Sequence, residues 1–389
     1  MQDGEVYLDA NAGMPLRPEA RAALVAALGL LPGNPSSAHA AGRRTRKVLS
    51  EAREAVAALV GAEPQDVVFT SGGTESNVLA IRGALAAAGE GRRGFVTSRA
   101  EHPSVARLAD RLADEGTAVA RAGVDRSGRV DAEALAALVG TGTAVASLVL
   151  AESVTGTLQP VRAVAARIQG RGAVLHTDAA QAAGRIPIDV ATLGADLLSL
   201  SSAKLGGAPG VGALVVRGAA RDAASWRAPH GSGSQEGGRR PGTEAVPLIA
   251  AFGAAARAAA RDLDAFAGGA RALLAPVAAF TRAFPGGEVI TPDRDALPNT
   301  LLVAFAGCPG DAVLAALDAL GVRVSSGTAC TSLARTPAEV LVAGGRTREE
   351  AARAVRISVS WDTRAAAIGS LVDALGVVLP RVRAALATS

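Results

Sequence analysis

Short apolar strands alternate with helical stretches from about residue 67 to residue 216, and this rhythm limits the possible folds more than any other feature of the chain. Strand signals fall at 67–70, 95–97, 118–120, 145–150, 174–177 and 196–201, and a further apolar run closes at Val216. Helical patterns fill 76–88, 103–115, 131–138 and 161–169, with Asp131 as the expected cap of its helix. Strands spaced by helices of this length predict an α/β chain with a doubly wound, mainly parallel sheet. In such sheets ligands sit beyond the carboxyl ends of the strands. Gly72-Gly73-Thr74, His102, Asp178 and Lys204 all fall at that edge.

Composition singles out the lysine. The chain has two lysines, Lys47 and Lys204, and arginine supplies nearly all the other positive charge. A lysine amine can lose its proton and become a nucleophile, which a guanidinium cannot do. Lys204 is therefore a candidate for a Schiff base, and the alternative is a surface lysine. Gly72-Gly73-Thr74 opens a helix with close backbone approach, free N–H groups and a hydroxyl, which makes an anion site, most simply for phosphate. Such a turn can also serve only as a helix cap. His102 could likewise be a cap or a core histidine. Asp178 could cap the helix that follows, or hold a positive heteroaromatic nitrogen. An imine-forming lysine, an acid for a pyridinium nitrogen and a phosphate cradle are together what pyridoxal 5'-phosphate requires.

On either side the pattern changes. A strand signal at 6–9 precedes helices at 17–30 and 39–60, separated by turn chemistry around Asn34. The glycine- and arginine-rich segment 231–243 has little apolar content, so it is expected to be held by a ligand or a partner, or to be mobile. A helical region at 245–283 leads to strands at 300–305, 322–325 and 355–360 and helices at 310–320, 346–354 and 365–386. This reads as a smaller α+β domain. The expected division is a large domain over 15–260 and a small one from 1–14 and 261–389. Cys330 lies among small and polar residues, which argues a loop where its thiolate can act as a nucleophile. Cys308, before Pro309, reads as a packing or turn residue. Arg356 interrupts an apolar strand, where it could bind a substrate carboxylate or lie on the solvated face of an edge strand.

The 389 residues contain no run of about 18 uninterrupted apolar residues, so no membrane span is expected. The N-terminus lacks the features of a secretory signal. Two cysteines make neither a disulfide framework nor a zinc cluster, no metal site is expected, and a reducing cytoplasm is the default location. Net charge is +4, and the densest basic run, Arg43-Arg44-Thr45-Arg46-Lys47, reads as the solvated face of a helix. Dispersed arginines and few aromatics speak against nucleic-acid binding.

As a set, these motifs resemble the cysteine desulfurases of the class V aminotransferase group, which have the fold-type-I pyridoxal phosphate architecture. The matching stretches are Tyr7-Leu-Asp-Ala-Asn11, Asn34-Pro-Ser-Ser, Phe69-Thr-Ser-Gly-Gly-Thr-Glu-Ser-Asn77, Glu101-His102, Thr155-Gly-Thr-Leu-Gln-Pro160, His176-Thr-Asp-Ala-Ala-Gln181, Ser201-Ser-Ala-Lys204, Arg240-Pro-Gly-Thr243, Ser325-Ser-Gly-Thr-Ala-Cys330 and Arg356-Ile-Ser. They occur in family order and span nearly the whole chain. The resemblance implies that Lys204 forms the imine with the cofactor and moves protons at the substrate α carbon. It implies that Asp178 pairs with the pyridinium nitrogen, Gln181 bonds the phenolic oxygen, and His102 stacks on the ring and assists proton transfer. Gly73, Thr74 and Ser201 would hold the phosphate, with Thr243 reaching the phosphate of a neighbouring subunit in a homodimer. Asn34 and Arg356 would bind substrate. Cys330 would take the sulfur of L-cysteine as a persulfide, leaving L-alanine. The sulfur would pass to an acceptor protein such as an iron–sulfur scaffold, or into tRNA thiolation or a thio-cofactor.

The sequence also departs from that pattern. Ala203 stands where the family has a histidine beside the lysine, and Glu152-Ser153-Val154 replaces the usual Asn-Asn-Glu. Gly13 and Met14 stand where threonines are common. These changes bear on cofactor affinity and substrate fit rather than on reaction type. Two other readings share the motifs: another C–S or selenocysteine lyase, and a catalytically weak regulatory homologue.

Overall fold

The computed structural model describes residues 5–89, 91–218, 220, 233–326 and 339–387. Cys330 lies outside them. The chain begins with β1 (Val6–Tyr7), α1 (Pro18–Leu28) and α2 (Ala40–Leu59). The alternating region follows: β2 (Val67–Thr70), α3 (Gly73–Ala87), β3 (Gly94–Ser98), α4 (Pro103–Asp114), β4 (Val119–Ala122), α5 (Ala132–Leu138) and β5 (Thr143–Ser147). It ends with α6 (Val161–Ile168), β6 (Val174–Asp178), α7 (Val190–Leu193), β7 (Leu197–Ser201) and β8 (Gly212–Val216).

Strands β2 to β8 form one sheet in the order β2-β8-β7-β6-β5-β3-β4. Neighbours from β4 through β7 are parallel, and β8 runs against both β7 and β2. The reason is visible in the side chains. Successive strand residues point to opposite faces, and here both faces are apolar. Phe69, Val96, Ala146, Leu198, Leu200 and Val215 join one core, while Val68, Phe95, Val145, Leu197, Leu214 and Val216 join another on the opposite side. Burial on both faces is the condition under which parallel strands are found. The strand expected over 145–150 ends at Ser147, because Ala151 pairs with Leu158 and the chain turns away. The helix expected from Ser76 begins three residues earlier, at Gly73.

One 38-residue helix, α8 (Val246–Ala283), links this body to the rest. Its first half, including Ile249, Phe252 and Ala256, packs in the core of the large sheet. Its second half, including Ala270, Leu274 and Val277, packs in a second core. The division expected at 260 falls inside this continuous helix. Beyond it come β9 (Gly287–Val289), β10 (Thr300–Phe305), α9 (Gly310–Ala319), β11 (Val322–Arg323), β12 (Ser325–Ser326), α10 (Glu339–Ala343), α11 (Arg348–Ala352), β13 (Ala354–Ser358) and α12 (Ala365–Ala387). An antiparallel sheet is ordered β12-β13-β10-β9, and β1 returns to pair with β11. Cys308 is buried in this second core. By length and composition, α8 and Ala365–Ala385 could cross a membrane. Both instead contribute apolar side chains to the cores just described.

Residues 233–243 are held by contacts within their own chain. Glu236, at φ +49°, pairs with Arg53 at 2.6 Å and accepts the Phe69 amide at 2.9 Å. Arg240 pairs with Glu75 at 3.1 Å. The basic run 43–47 lies on α2, where Lys47 is exposed beside Glu51.

Candidate active site

The site forms at the carboxyl ends of β2, β3, β6 and β7, where the strands stop and helices begin. The tip of α3 comes first. Gly212 of β8 lies so close that a side chain there would sit 2.6 Å from the Gly72 carbonyl carbon and 2.6 Å from the Leu200 oxygen. Only glycine lets the strand approach this turn. Gly73 has room: a methyl group there would meet Ser201 Cβ at 3.5 Å and Ala180 Cβ at 3.8 Å. The first amides of a helix have no intrahelical acceptor, so Gly73 and Thr74 offer donors at the tip of α3, with the Ser201 side chain beside Gly73.

Asp178, at the end of β6, is 5% exposed. Its Oδ1 accepts the Ala180 amide at 2.9 Å and its Oδ2 accepts Asn77 Nδ2 at 2.7 Å. Asn77 also donates to Ser104 Oγ at 2.9 Å, and Ser104 Oγ meets His102 Nδ1 at 2.8 Å. Nδ1 accepts the Ser104 amide too, at 3.1 Å. An amide nitrogen only donates, so the order of donors is fixed. The neutral His102 ring then carries its proton on Nε2. His102 caps α4, as one reading of it had it, and at the same time is wired to Asp178.

The next residue back, Glu101, is partly exposed, yet its Oε2 is closed off from solvent without a hydrogen-bond partner. Oε1 accepts Ser98 Oγ and the Val149 amide, each at 3.0 Å. Desolvation outweighs those bonds and pushes its pKa up to about 8. His176, two residues before Asp178, is fully buried between the hydroxyls of Ser147 and Ser199, both at 2.9 Å. Burial pushes its pKa down to about 4, against the pull of Asp178.

A second network gathers on Asn11, which is 2% exposed. Its carbonyl accepts Lys204 Nζ at 2.8 Å and Gln181 Nε2 at 3.0 Å. Lys204 also donates to the Ala12 carbonyl at 2.6 Å. Asn11 Nδ2 donates to the Ser153 carbonyl at 3.1 Å and to Thr300 Oγ1 at 2.9 Å. Arg356 donates to the same Ser153 carbonyl at 3.1 Å and pairs with Asp9 at 2.7 Å. Arg356 is buried on β13 with a strand on each side, so the edge-strand reading does not hold. Its Nε has no hydrogen-bond partner. The Ser153 hydroxyl donates to Glu152 at 3.4 Å.

The structure thus brings Lys204 and Gln181 together on the Asn11 carbonyl, sets Arg356 on the Ser153 carbonyl that Asn11 also bonds, joins Asp178 to His102 through Asn77 and Ser104, and sets Gly73 beside Ser201. Asn34 is exposed, and its side chain accepts the Ser36 amide of its own turn at 2.9 Å. Thr74 and Thr243 are exposed. Residue reading gave no role to Asn11, Asn77, Ser104 or Arg185. Asn77 carried a signal, since it stands one helical turn after Gly73 on the same face. Asn11 acts across long sequence separations, whereas Ser104 and Arg185 also bond His102 and Gln181, two and four residues away.

A family model described as Aminotransferase class-V matches residues 6–371. The cysteine desulfurase of Cereibacter sphaeroides is 41% identical over 382 residues, covering 97% of both chains. A solved NifS-like protein has a TM-score of 0.89 at 29% identity, covering 97% of this chain and 99% of its own. SspA, solved in complex with cysteine, has a TM-score of 0.79 at 29% identity, covering 91% of this chain and 98% of its own. With that match running from β1 into the last helix, the chain belongs to the class-V aminotransferase family.

Proposed function

We propose that the protein is a cysteine desulfurase that uses pyridoxal 5'-phosphate and L-cysteine. The observation that carries this reading is the convergence of Lys204, Asp178 and His102 at one sheet edge, wired by Asn11 and Asn77. The residues present fit the cofactor. Ser202 Oγ and Asn77 Oδ1 are buried without partners, Gly73 leaves space at the helix tip, and a buried acid stands at the strand end. Bound pyridoxal phosphate supplies an electron sink for the carbon next to the substrate amine.

The protein's own residues do the rest. Asp178, held by Asn77 and the Ala180 amide, would keep a proton on the ring nitrogen of the bound cofactor. Gly73, Thr74 and Ser201 would hold its phosphate. Lys204 donates to the Asn11 and Ala12 carbonyls, and its amine is the group that would hold the cofactor. It then moves protons at the substrate α carbon. Arg356 Nε is the donor available to the substrate carboxylate, with Asn34 assisting from its loop. The Cys330 thiolate attacks the substrate sulfur: an S–S bond forms, the C–S bond breaks, and the carbon takes a proton to give L-alanine. The persulfide then passes to an acceptor protein, for which an iron–sulfur scaffold is one candidate. We assign a homodimer acting in the cytoplasm, in which the exposed Thr243 reaches the phosphate of the neighbouring subunit; its loop is held by Glu236 and Arg240.

The test is direct. Purified protein with pyridoxal phosphate should show a visible absorption band and convert L-cysteine to L-alanine with persulfide on the enzyme. Cys330→Ala should keep the band and lose the persulfide, and Lys204→Ala should lose the band. A colourless protein that makes no alanine with added cofactor would refute the reading.

A further inference from the structure

Arg185 is 1% exposed and ranks among the largest fully buried side chains. Its Nη1 donates to Asn11 Oδ1 at 2.9 Å and to Gln181 Oε1, and its Nη2 donates to the Ala10 carbonyl at 3.4 Å. Its Nε has no partner. Every one of these acceptors is neutral. Burial first, and then repulsion from Arg356, push its pKa down to about 9. An arginine buried without a carboxylate is costly, because nothing repays the lost hydration of the charge. Asp9 is committed to Arg356. Among the described residues, the groups bonded around Asn11 therefore carry more positive than negative charge, with Lys204 beside them.

The contact with Gln181 has a directional consequence. Arginine has donors only, so the amide atom facing it must be the oxygen. Gln181 Nε2 then points the other way, to the Asn11 carbonyl that also accepts Lys204 Nζ. Two donors, one from Gln181 and one from Lys204, thus meet at a single oxygen. In pyridoxal phosphate the phenolic oxygen is ortho to the carbon that Lys204 would bind. A donor beside the lysine amine would therefore lie beside that oxygen once the cofactor is bound.

We propose that Arg185 is a positioning residue for the cofactor's phenolic oxygen: it fixes the Gln181 amide with Nε2 as donor, and its buried charge favours the anionic form of that oxygen. This rests on the cofactor reading above. It also explains why the chain tolerates an unmatched buried cation, since the counter-charge arrives with the ligand.

The test titrates the visible absorption of the cofactor-loaded protein from neutral to alkaline pH. A nearby positive charge and a donor on the phenolic oxygen both disfavour a proton on the adjacent nitrogen. Arg185→Met and Gln181→Ala should therefore each raise the titration midpoint by about one pH unit. The double variant should fall short of the sum, because one residue acts through the other. A cofactor-loaded Arg185→Met with the wild-type midpoint, or fully additive shifts, would overturn the proposal. Gln181→Glu supplies the missing counter-charge in the same shape. Its cofactor-free form should melt at a higher temperature than the wild type, and its affinity for pyridoxal phosphate should fall roughly tenfold as a donor is lost. Should Arg185→Met not fold, this variant decides: a cofactor-free form no more stable than wild type overturns the assignment. A wild type that takes up no cofactor removes the proposed function and this inference together. A coloured wild type with an unshifted Arg185→Met removes the inference alone.

Discussion

Asn77 Nδ2 serves both Asp178 and Ser104, so α3, α4 and β6 meet at one side chain. Asn77→Ala leaves a buried carboxylate short of one donor and should cost about 1–3 kcal/mol, read by urea unfolding of the cofactor-free protein. Unchanged stability would mean Asp178 is held by other groups. Glu101 carries a pH dependence of defined sign. Its folded pKa, about 8, lies above its usual 4.5. The folded state then keeps a proton that the unfolded chain gives up, so this contribution is full below about 4.5 and is lost as pH rises toward about 8. His176 acts oppositely at lower pH: its folded pKa of about 4 lies below 6.5, so stability falls as pH drops between them. Glu101→Gln should remove the decline on the alkaline side, and unfolding free energies measured from mildly acidic pH to pH 8 will show whether the curve flattens. Lys204, Asp178 and His102 were legible as candidates from residue type and position at strand ends. Their partners were not, because Asn11 and Lys204, or Asn77 and Asp178, touch only after the chain has folded across many residues.

Elements decide how close the chemistry can sit. The helix tip at Gly72 and Gly73 lies against β8, and Gly212 makes that distance possible. Gly212→Ala would press a methyl group into backbone atoms that cannot rotate away. It should destabilise by about 1–3 kcal/mol and lower the retention of pyridoxal phosphate, measured as cofactor remaining after dialysis. Wild-type retention and stability would show that β8 shifts freely. The strands and helices were readable in the sequence because apolar side chains recur at periods that match them, with boundary errors of a few residues. The reversed direction of β8 was not readable. A strand buried on both faces has the same apolar run whichever way it points.

The large-scale arrangement depends on α8, which serves both cores, and on the segment 233–243, pinned by Glu236 and Arg240. The Glu236 side chain is 2% exposed. Glu236→Ala strips Arg53 and the Phe69 amide of their acceptor and should cost about 3–5 kcal/mol. A drop in melting temperature together with easier proteolysis of this segment would show it; an unaltered melting curve would place the anchor elsewhere. Residue order already contained the alternation that makes a mainly parallel sheet, the rarity of lysine that isolates Lys204, and the ordered motifs of the class V aminotransferases. These are local properties, set by residue type and spacing. Only folding brought Lys204, Gln181 and Arg185 onto Asn11, set Arg356 on the Ser153 carbonyl that Asn11 also bonds, and left a buried arginine with neutral acceptors. Burial and charge compensation are properties of the surroundings of a side chain, and those surroundings exist only once distant segments have packed.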